Sequence, residues 1–548
     1  MTRWQTQSEA RNARIAAGSG LAQGKIVAAR DATLLLEAVV RPGDRVCLEG
    51  DNQKQADLLS AALLAVDLAR VNNLHMVQSG VVLPEHLDLF ERGVAKKLDY
   101  AYSGPQSARI AAMLFGGKIE LGAVHTYLEL FARYFVDLTP NVALVAAVSA
   151  DKDGNLYTGP NTEDTPTVVE ATAFKDGIVI AQVNAIVDRV PRVDIPGDRV
   201  HFVIQADKPF FVEPLFTRDP AAITETQILT AMMALKGIYA PYGVRRLNHG
   251  IGFSTAAIEL LLPTYGEKLG LKGKVASHFA LNPHPTLIPA IESGWVEQVH
   301  CFGSEVGMDD YIRARSDVFF TGADGSLRSN RAFSQTAGLY ACDMFIGSTL
   351  QIDLQGHSST VTTTRIAGFG GAPNMGSDAR GRRHPSAPWI KAGSEADPQT
   401  PALMRRGRKL VVQIGETFGE KNASLFVETL DAIALAEKLK LDLAPIMVYG
   451  DDVTHIVTEE GIANLLLCRD LHEREQAIRG VAGYTDVGRD RDPKAVARLR
   501  ERGVIQRPED LDIDPLDATR GLLAARSIKD LVHWSGGLYA PPSKFRNW

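Results

Sequence analysis

The sequence predicts an α/β protein with an open sheet in each half of the chain. Three observations predict it. Short strand-like runs alternate with helix-like runs from about residue 43 onward. Two runs, NVALVAAVS at 141–149 and GIVIAQV at 177–183, are almost continuously apolar, as buried parallel strands should be. A strand, a glycine-containing turn and a helix occur in that order near residues 43–70 and again near 243–262, which points to a duplicated unit.

The elements follow in order. Residues 1–20, MTRWQTQSEARNARIAAGSG, are polar and form an N-terminal arm or short helix. After the turn Pro42-Gly43-Asp44, RVCLE at 45–49 is a strand, and 53–70 carries leucine and alanine at helical spacing. Another short strand follows at 74–78. With the two apolar strands these make a first domain, 21–217. A helix at 223–238 opens the second domain, 218–510. There a strand at 243–247 passes through His249-Gly250-Ile251-Gly252 into a helix at 255–262. Further strands are expected at 351–354, 410–413, 445–449 and 455–457. Residues 376–409 are polar and rich in Gly, Pro and Arg, and a structureless stretch of that length favours a functional excursion. The tail, 511–548, has one helix and then Gly, Pro and aromatic residues suited to lying over another surface.

A chain of 548 residues exceeds one ordinary core. With 45% hydrophobic and 23% charged residues it falls in the soluble globular range. A net charge of -6 argues against a general nucleic-acid surface. Cys47, Cys301, Cys342 and Cys468 form no CxxC pair, so they are expected reduced and mostly buried. No signal-peptide core and no run of 18 apolar residues occur, so no membrane span is expected and the cytoplasm is the simple location. HExxH, DxDxDG and GxxxxGK[ST] patterns are missing, and neither a metal nor a tightly bound cofactor is expected. His75 and His125 lack ligand-like spacing and are expected to be structural or surface residues.

Four segments carry candidate chemistry. In HGIGFS at 249–254, Gly250 and Gly252 allow a ligand close to the backbone at a helix start, although a plain tight turn fits equally well. In ASHFALNPHPTL at 276–287, Pro283 and Pro285 restrict the chain around Asn282 and His284, either as an active-site edge or as a surface loop. The strongest signal is 347–383. There Gly368, Gly370 and Gly371 precede Ala372-Pro373-Asn374, a loop able to aim consecutive amides at one oxygen, as an attacked thioester carbonyl requires. Arg365, Arg380, Arg382 and Arg383 surround that loop, and arginine suits a carboxylate or phosphate. A second run, Arg405, Arg406, Arg408 and Lys409, fits a solvated basic face as well as it fits a ligand.

Several longer segments resemble a known family. These are VSADKDGNLYTGPNTED (148–164), IVIAQVNAIVDRVPRVDIPGD (178–198), GSTLQIDLQGHSS, IAGFGGAPN and HIVTEEGIANL (455–465). In this order, over roughly residues 20–500, they resemble the malonate decarboxylase alpha subunit. More distantly they resemble the citrate lyase alpha subunit and the CoA-transferase and acetyl-CoA hydrolase families. GFGGAPNMGSDARGRRHPSAPW points most directly to the malonate enzyme. The resemblance implies two CoA-transferase-like α/β domains facing across a cleft. It implies a carrier subunit bearing a phosphoribosyl-dephospho-CoA arm, with CoA as a possible analogue, and separate decarboxylase subunits; self-association is also open. The implied reaction converts acetyl-carrier and malonate to malonyl-carrier and acetate.

One departure bears on mechanism. Many CoA-transferases place a catalytic glutamate just after this strand. Aligned through Glu292-Ser293-Gly294, that position falls at about Leu281, and FALNPH holds no carboxylate. A direct route through a mixed anhydride is therefore expected, without a glutamyl thioester. The glycine loop would hold the oxyanion, Asn282 and His284 would orient the attacking carboxylate, and Arg365 or Arg380 would hold the other. Gly250, Gly252, Gly370 and Gly371 would approach the arm, and Asn374 the substrate. The alternatives are a transferase or hydrolase acting on free CoA thioesters, and a non-catalytic docking scaffold.

Overall fold

The computed structural model describes residues 3–50, 54–160, 162–327, 329–378, 409–419 and 422–546. Six strands form the centre of the first sheet: β1 (Arg45–Leu48), β2 (Leu74–Gly80), β3 (Ala95–Tyr102), β4 (Val142–Ala150), β5 (Ile178–Ile186) and β6 (Phe202–Gln205). Six more form the centre of the second: β7 (Arg246–His249), β8 (His278–Ala280), β9 (Gln298–His300), β10 (Met344–Gly347), β11 (Leu410–Ile414) and β12 (His455–Thr458). All the pairings within each set are parallel. The spatial orders are β6-β5-β4-β1-β2-β3 and β12-β11-β10-β7-β8-β9. These are the same permutation, so the repeat hinted at by two strand–turn–helix pieces extends over the six central strands of each sheet; the first sheet carries one more parallel strand, Glu120–Val124, beyond β3.

The apolar strands are explained by what each face meets. Val142, Leu144 and Ala146 of β4 enter one core, and Ala143, Val145 and Ala147 enter another on the opposite face. In the second sheet, Met344 and Ile346 of β10 point to one core and Phe345 to the other. Alternate residues lie on opposite faces of a strand, so a sheet covered on both sides leaves no polar positions.

The two halves are not separate beads. Val361, Ile366, Leu430, Ala432 and Leu435 come from the second half of the sequence but are buried in a core of the first. Ile366 O accepts from Tyr100 OH at 3.1 Å and from Ser103 Oγ at 2.7 Å. The chain between β10 and β12 thus crosses the cleft.

Three expectations are sharpened or corrected. For residues 1–20 the helix alternative holds: Arg3–Ser19 is a helix docked on the first domain, with Arg14 on Asp44 at 2.7 Å and Arg11 on Asp176 at 2.9 Å. Residues 445–449 are not a strand: Val448 makes only an isolated bridge to Ser358, and Pro445 brings no N–H to a ladder. Lys409 does not belong to a solvated basic face. It is fully buried, and its ammonium donates to Gly338 O, Leu339 O and Met375 O at 2.9, 2.7 and 3.2 Å. The first two carbonyls lie near the end of helix Arg331–Ala341, where free carbonyls favour a cation. Residues 380, 382, 383, 405, 406 and 408 lie outside the described residues. The four cysteines are unpaired, and Cys47, Cys301 and Cys342 are buried.

Candidate active site

In each sheet the chain leaves the first strand toward one edge and later returns to its other side. That makes β7 and β10 the switch point of the second sheet, where open α/β sheets leave a crevice beyond their strand ends. His249 and Gly250 leave β7 there, and Gly347 and Ser348 leave β10. Gly250 N–H donates to Ile346 O at 2.7 Å, and a Cβ on Gly250 would stand 2.9 Å from Gly347 Cα. Only glycine permits this approach without displacing backbone.

The neighbouring strand β8 runs into Leu281, Asn282 and His284, and Asn248 Nδ2 ties the two strands by donating to Ala280 O at 2.5 Å. The third wall is the segment 366–372, which reaches over from the crossing excursion. Together they line an open cavity of about 210 Å³. Gly250, Asn282, His284, Gly368, Gly370 and Gly371 all line it. Gly252 and Arg365 do not. Gly252 sits behind the turn at the start of helix α1 (Phe253–Leu261), and Arg365 lines an adjoining cleft. Asn374 lines another cavity, of about 520 Å³, and donates to Gln335 Oε1 at 3.2 Å. Arg380 lies outside the described residues.

The glycine loop does not present a run of consecutive amides. Phe369 N–H and Gly370 N–H both donate to Ala101 O, at 2.7 and 2.9 Å. Gly368, at φ 77°, is pinned against β3: a Cβ there would lie 2.3 Å from Ala101 O. The N–H groups left without an acceptor among the described residues are those of Gly368 and Gly371, on either side of the pinned pair.

The polar machinery has a member that sequence reasoning missed. Glu259, on α1, is fully buried. Its Oε1 lies 2.8 Å from His249 Nδ1 and 2.8 Å from His284 Nδ1, and its Oε2 accepts from Thr286 Oγ1. Burial alone would raise its pKa, but His284 and His249 outweigh that and bring it to about 2. His249 is pushed down by burial, against the pull of Glu259, and its Nε2 lies 2.7 Å from Tyr239 OH. His284 stacks on Phe216 at 5.6 Å, and its Nε2 has no partner among the described residues. The result is an imidazole fixed by a buried carboxylate, with one nitrogen left for the cavity. The available signal was a single glutamate inside the apolar helical run TAAIELLL. The cavity has no lysine or arginine among its described lining residues.

His75 and His125 form a separate pair around Asp99, at 2.6 and 2.7 Å. Burial would raise Asp99, and the two rings reverse that and hold it well below the usual carboxylate range. Both histidines bond structural neighbours, and neither lines the 210 Å³ cavity.

Two sheets of this topology facing a shared cavity define the CoA-transferase-like α/β class. Solved structures of the putative citrate lyase alpha subunit from Streptococcus mutans (TM-score 0.58, 14% identity, covering 95% of this chain and 87% of that one) and of an acyl-CoA transferase from Escherichia coli O157:H7 (0.51, 14%, 81% and 88%) share the fold. The malonate decarboxylase alpha-subunit (transporter) family matches residues 3–548, and the chain belongs to that family. It is 65% identical over 526 residues, 96% of this chain and 95% of the other, to the acetyl-S-ACP:malonate ACP transferase of Malonomonas rubra. It is also similar to a chain of the Pseudomonas malonate decarboxylase hetero-tetramer solved with malonate, with TM-score 0.95, 58% identity and full coverage of both chains. No helix among the described residues is long and apolar enough to cross a membrane.

Proposed function

We propose that this chain is the acyl-carrier transferase subunit of a malonate decarboxylase, exchanging acetyl for malonyl on a carrier thiol in the 210 Å³ cavity. The observation that carries the reading is the meeting of His284 Nε2 with the free Gly368 and Gly371 amides around one largely apolar space. A malonate carboxylate oxygen attacks the acetyl thioester carbon. The carbonyl oxygen becomes an oxyanion, and Gly368 and Gly371 N–H are the donors for it. The C–S bond breaks, the carrier thiolate leaves, and an acetyl–malonyl anhydride remains. The thiolate then attacks the malonyl carbonyl, and acetate leaves with the bridging oxygen.

His284 orients the malonate. With Nδ1–H given to Glu259, Nε2 is the atom offered to the ligand, and in the protonated ring it donates to a carboxylate oxygen. Asn282 Nδ2, 3.2 Å from Ser304 O, has a second hydrogen for the same purpose. No carboxylate lines the cavity among the described residues, which supports direct exchange over a glutamyl thioester. The carrier and the decarboxylase subunits are the partners, the arm enters as part of the carrier, and the reaction is placed in the cytoplasm.

Oxygen-18 in malonate tests the route. One labelled oxygen per released acetate is expected. Label appearing in water instead, or an acyl group trapped on the protein, would rule out direct exchange. Comparing carrier-bound acetyl with free acetyl-CoA separates this reading from a free-thioester transferase.

A further inference from the structure

A chain of hydrogen bonds runs from the 210 Å³ cavity into the core of the second half, and its protons can be counted. It starts at His284 Nε2 and passes through His284 Nδ1 to Glu259 Oε1 at 2.8 Å. From the same oxygen it continues to His249 Nδ1 at 2.8 Å, and from His249 Nε2 to Tyr239 OH at 2.7 Å. Four elements supply these side chains: the loop after β8, helix α1, the end of β7 and the helical turn Leu235–Tyr239. All four titratable groups are buried.

Tyr239 decides the count. Its hydroxyl has His249 Nε2 as its one partner among the described residues. A buried O–H without an acceptor is costly, so the hydroxyl donates and Nε2 must be an unprotonated acceptor. Glu259, with a pKa of about 2, is ionised at neutral pH, so His249 Nδ1 holds a proton and donates to it. His249 is then complete as a neutral ring. A second ring proton would face the hydroxyl and leave the hydroxyl's own hydrogen without an acceptor. Burial pushes the His249 pKa down, in the same sense. His284 is under no such constraint, because its Nε2 faces the cavity.

We infer that Tyr239 is a positioning residue of the transfer site: its hydroxyl proton, given to His249 Nε2, keeps that ring neutral and leaves the charge of Glu259 to be matched by His284, whose Nε2 carries the network's one mobile proton into the cavity. That proton matters because no lysine or arginine lines the cavity among the described residues, so His284 is the cation available there to a carboxylate. The assignment of protons stands on the geometry of the network. Its effect on acyl exchange rests on the transferase reading.

Nitrogen-15 NMR of the full chain with ring-labelled histidine reads these protons directly, with the His249 signals identified by their loss in His249→Asn. Between about pH 5 and 8, His249 should show one protonated and one unprotonated nitrogen throughout. A proton on His249 Nε2 in the unaltered chain overturns the assignment, and this measurement decides alone if Tyr239→Phe does not fold. In Tyr239→Phe, His249 Nε2 should take up a proton as pH falls. A ring that stays neutral there removes Tyr239 from the role. Exchange by the same variant gives a second readout. On the acid side the proton is divided between two rings, and kcat/KM should fall by about two- to tenfold. On the alkaline side both rings are mostly empty and fill independently, so the two pH profiles should merge. An equal loss at every pH means that Tyr239 serves packing alone, and the inference fails. Ring spectra of the expected pattern with no acyl exchange by the unaltered chain and carrier would sink the transferase reading and leave the proton assignment standing.

Discussion

At the scale of single residues, the site turns on Glu259. The sequence around Asn282 and His284 holds no acid, and that shortage alone made a positioned histidine hard to distinguish from a surface one. Glu259 comes from another element, 25 residues away, and a lone glutamate in an apolar helix gives no hint of its partners until the helix is placed. Its low pKa makes a stability prediction. In the unfolded chain it titrates near 4.5, and in the folded chain at about 2. A depressed folded value means that the stabilisation is present above pH 4.5 and is lost as pH falls toward 2. The shift is worth about 3 kcal/mol. Denaturant unfolding of Glu259→Gln across that window should therefore show a flatter acid slope than the unaltered chain. At neutral pH, His284→Ala should slow exchange by about 10²–10³-fold, the range of a lost preorganised hydrogen-bond donor. Glu259→Gln should slow it less, and mainly in kcat, because the ring stays but loses its orientation. Equal effects of the two changes on KM alone would remove His284 from the reacting centre.

At the scale of elements, the glycine loop shows which part of a motif sequence can disclose. GFGGAPN announces close backbone approach, but it does not say what approaches. Much of that approach is to β3: Gly368 needs its positive φ and missing Cβ to pass Ala101 O, and the two middle amides are used in that contact. A sequence cannot separate amides that anchor a loop from amides that face a ligand, because both need the same glycines. Gly371 differs, with φ −89° and a Gln335 side chain as the neighbour a Cβ would meet. Gly368→Ala should thus cost about 1–3 kcal/mol of stability through strain. Gly371→Ala should cost less stability, because a side chain can move where a backbone carbonyl cannot. Urea midpoints of the two variants check the order, and a reversed order would show that Gly368 is not the anchor. The strands were legible because two-sided burial writes itself as apolar runs. Residues 445–449 were misleading because PIMVY has the same composition while lying in a loop with one bridge partner.

At the scale of the molecule, the duplicated sheets were only faintly legible, since parallel strand order depends on long-range pairings that leave no local mark. What joins the halves was not legible at all. Arg331, from the second half, is 1% exposed and lies 3.4 Å from both Glu163 and Asp164 of the first, with its guanidinium over Tyr127 at 4.8 Å. Tyr127 also lines the 210 Å³ cavity, and Tyr127 N–H donates to Gly370 O at 3.2 Å. The ion pair therefore lies behind the wall that brings the loop over the site. Removing the cation takes a buried counter-ion from two buried carboxylates, and breaking a buried pair typically costs about 3–5 kcal/mol. Truncating it to Met keeps much of the apolar stem but not the charge, so Arg331→Met should weaken the union of the halves more than the fold of either. Scanning calorimetry should then show the unfolding transition broaden or split, and exchange should fall with it. If the variant unfolds in one transition at an unchanged temperature yet loses exchange, Arg331 acts on the reaction itself and not on the joining of the halves.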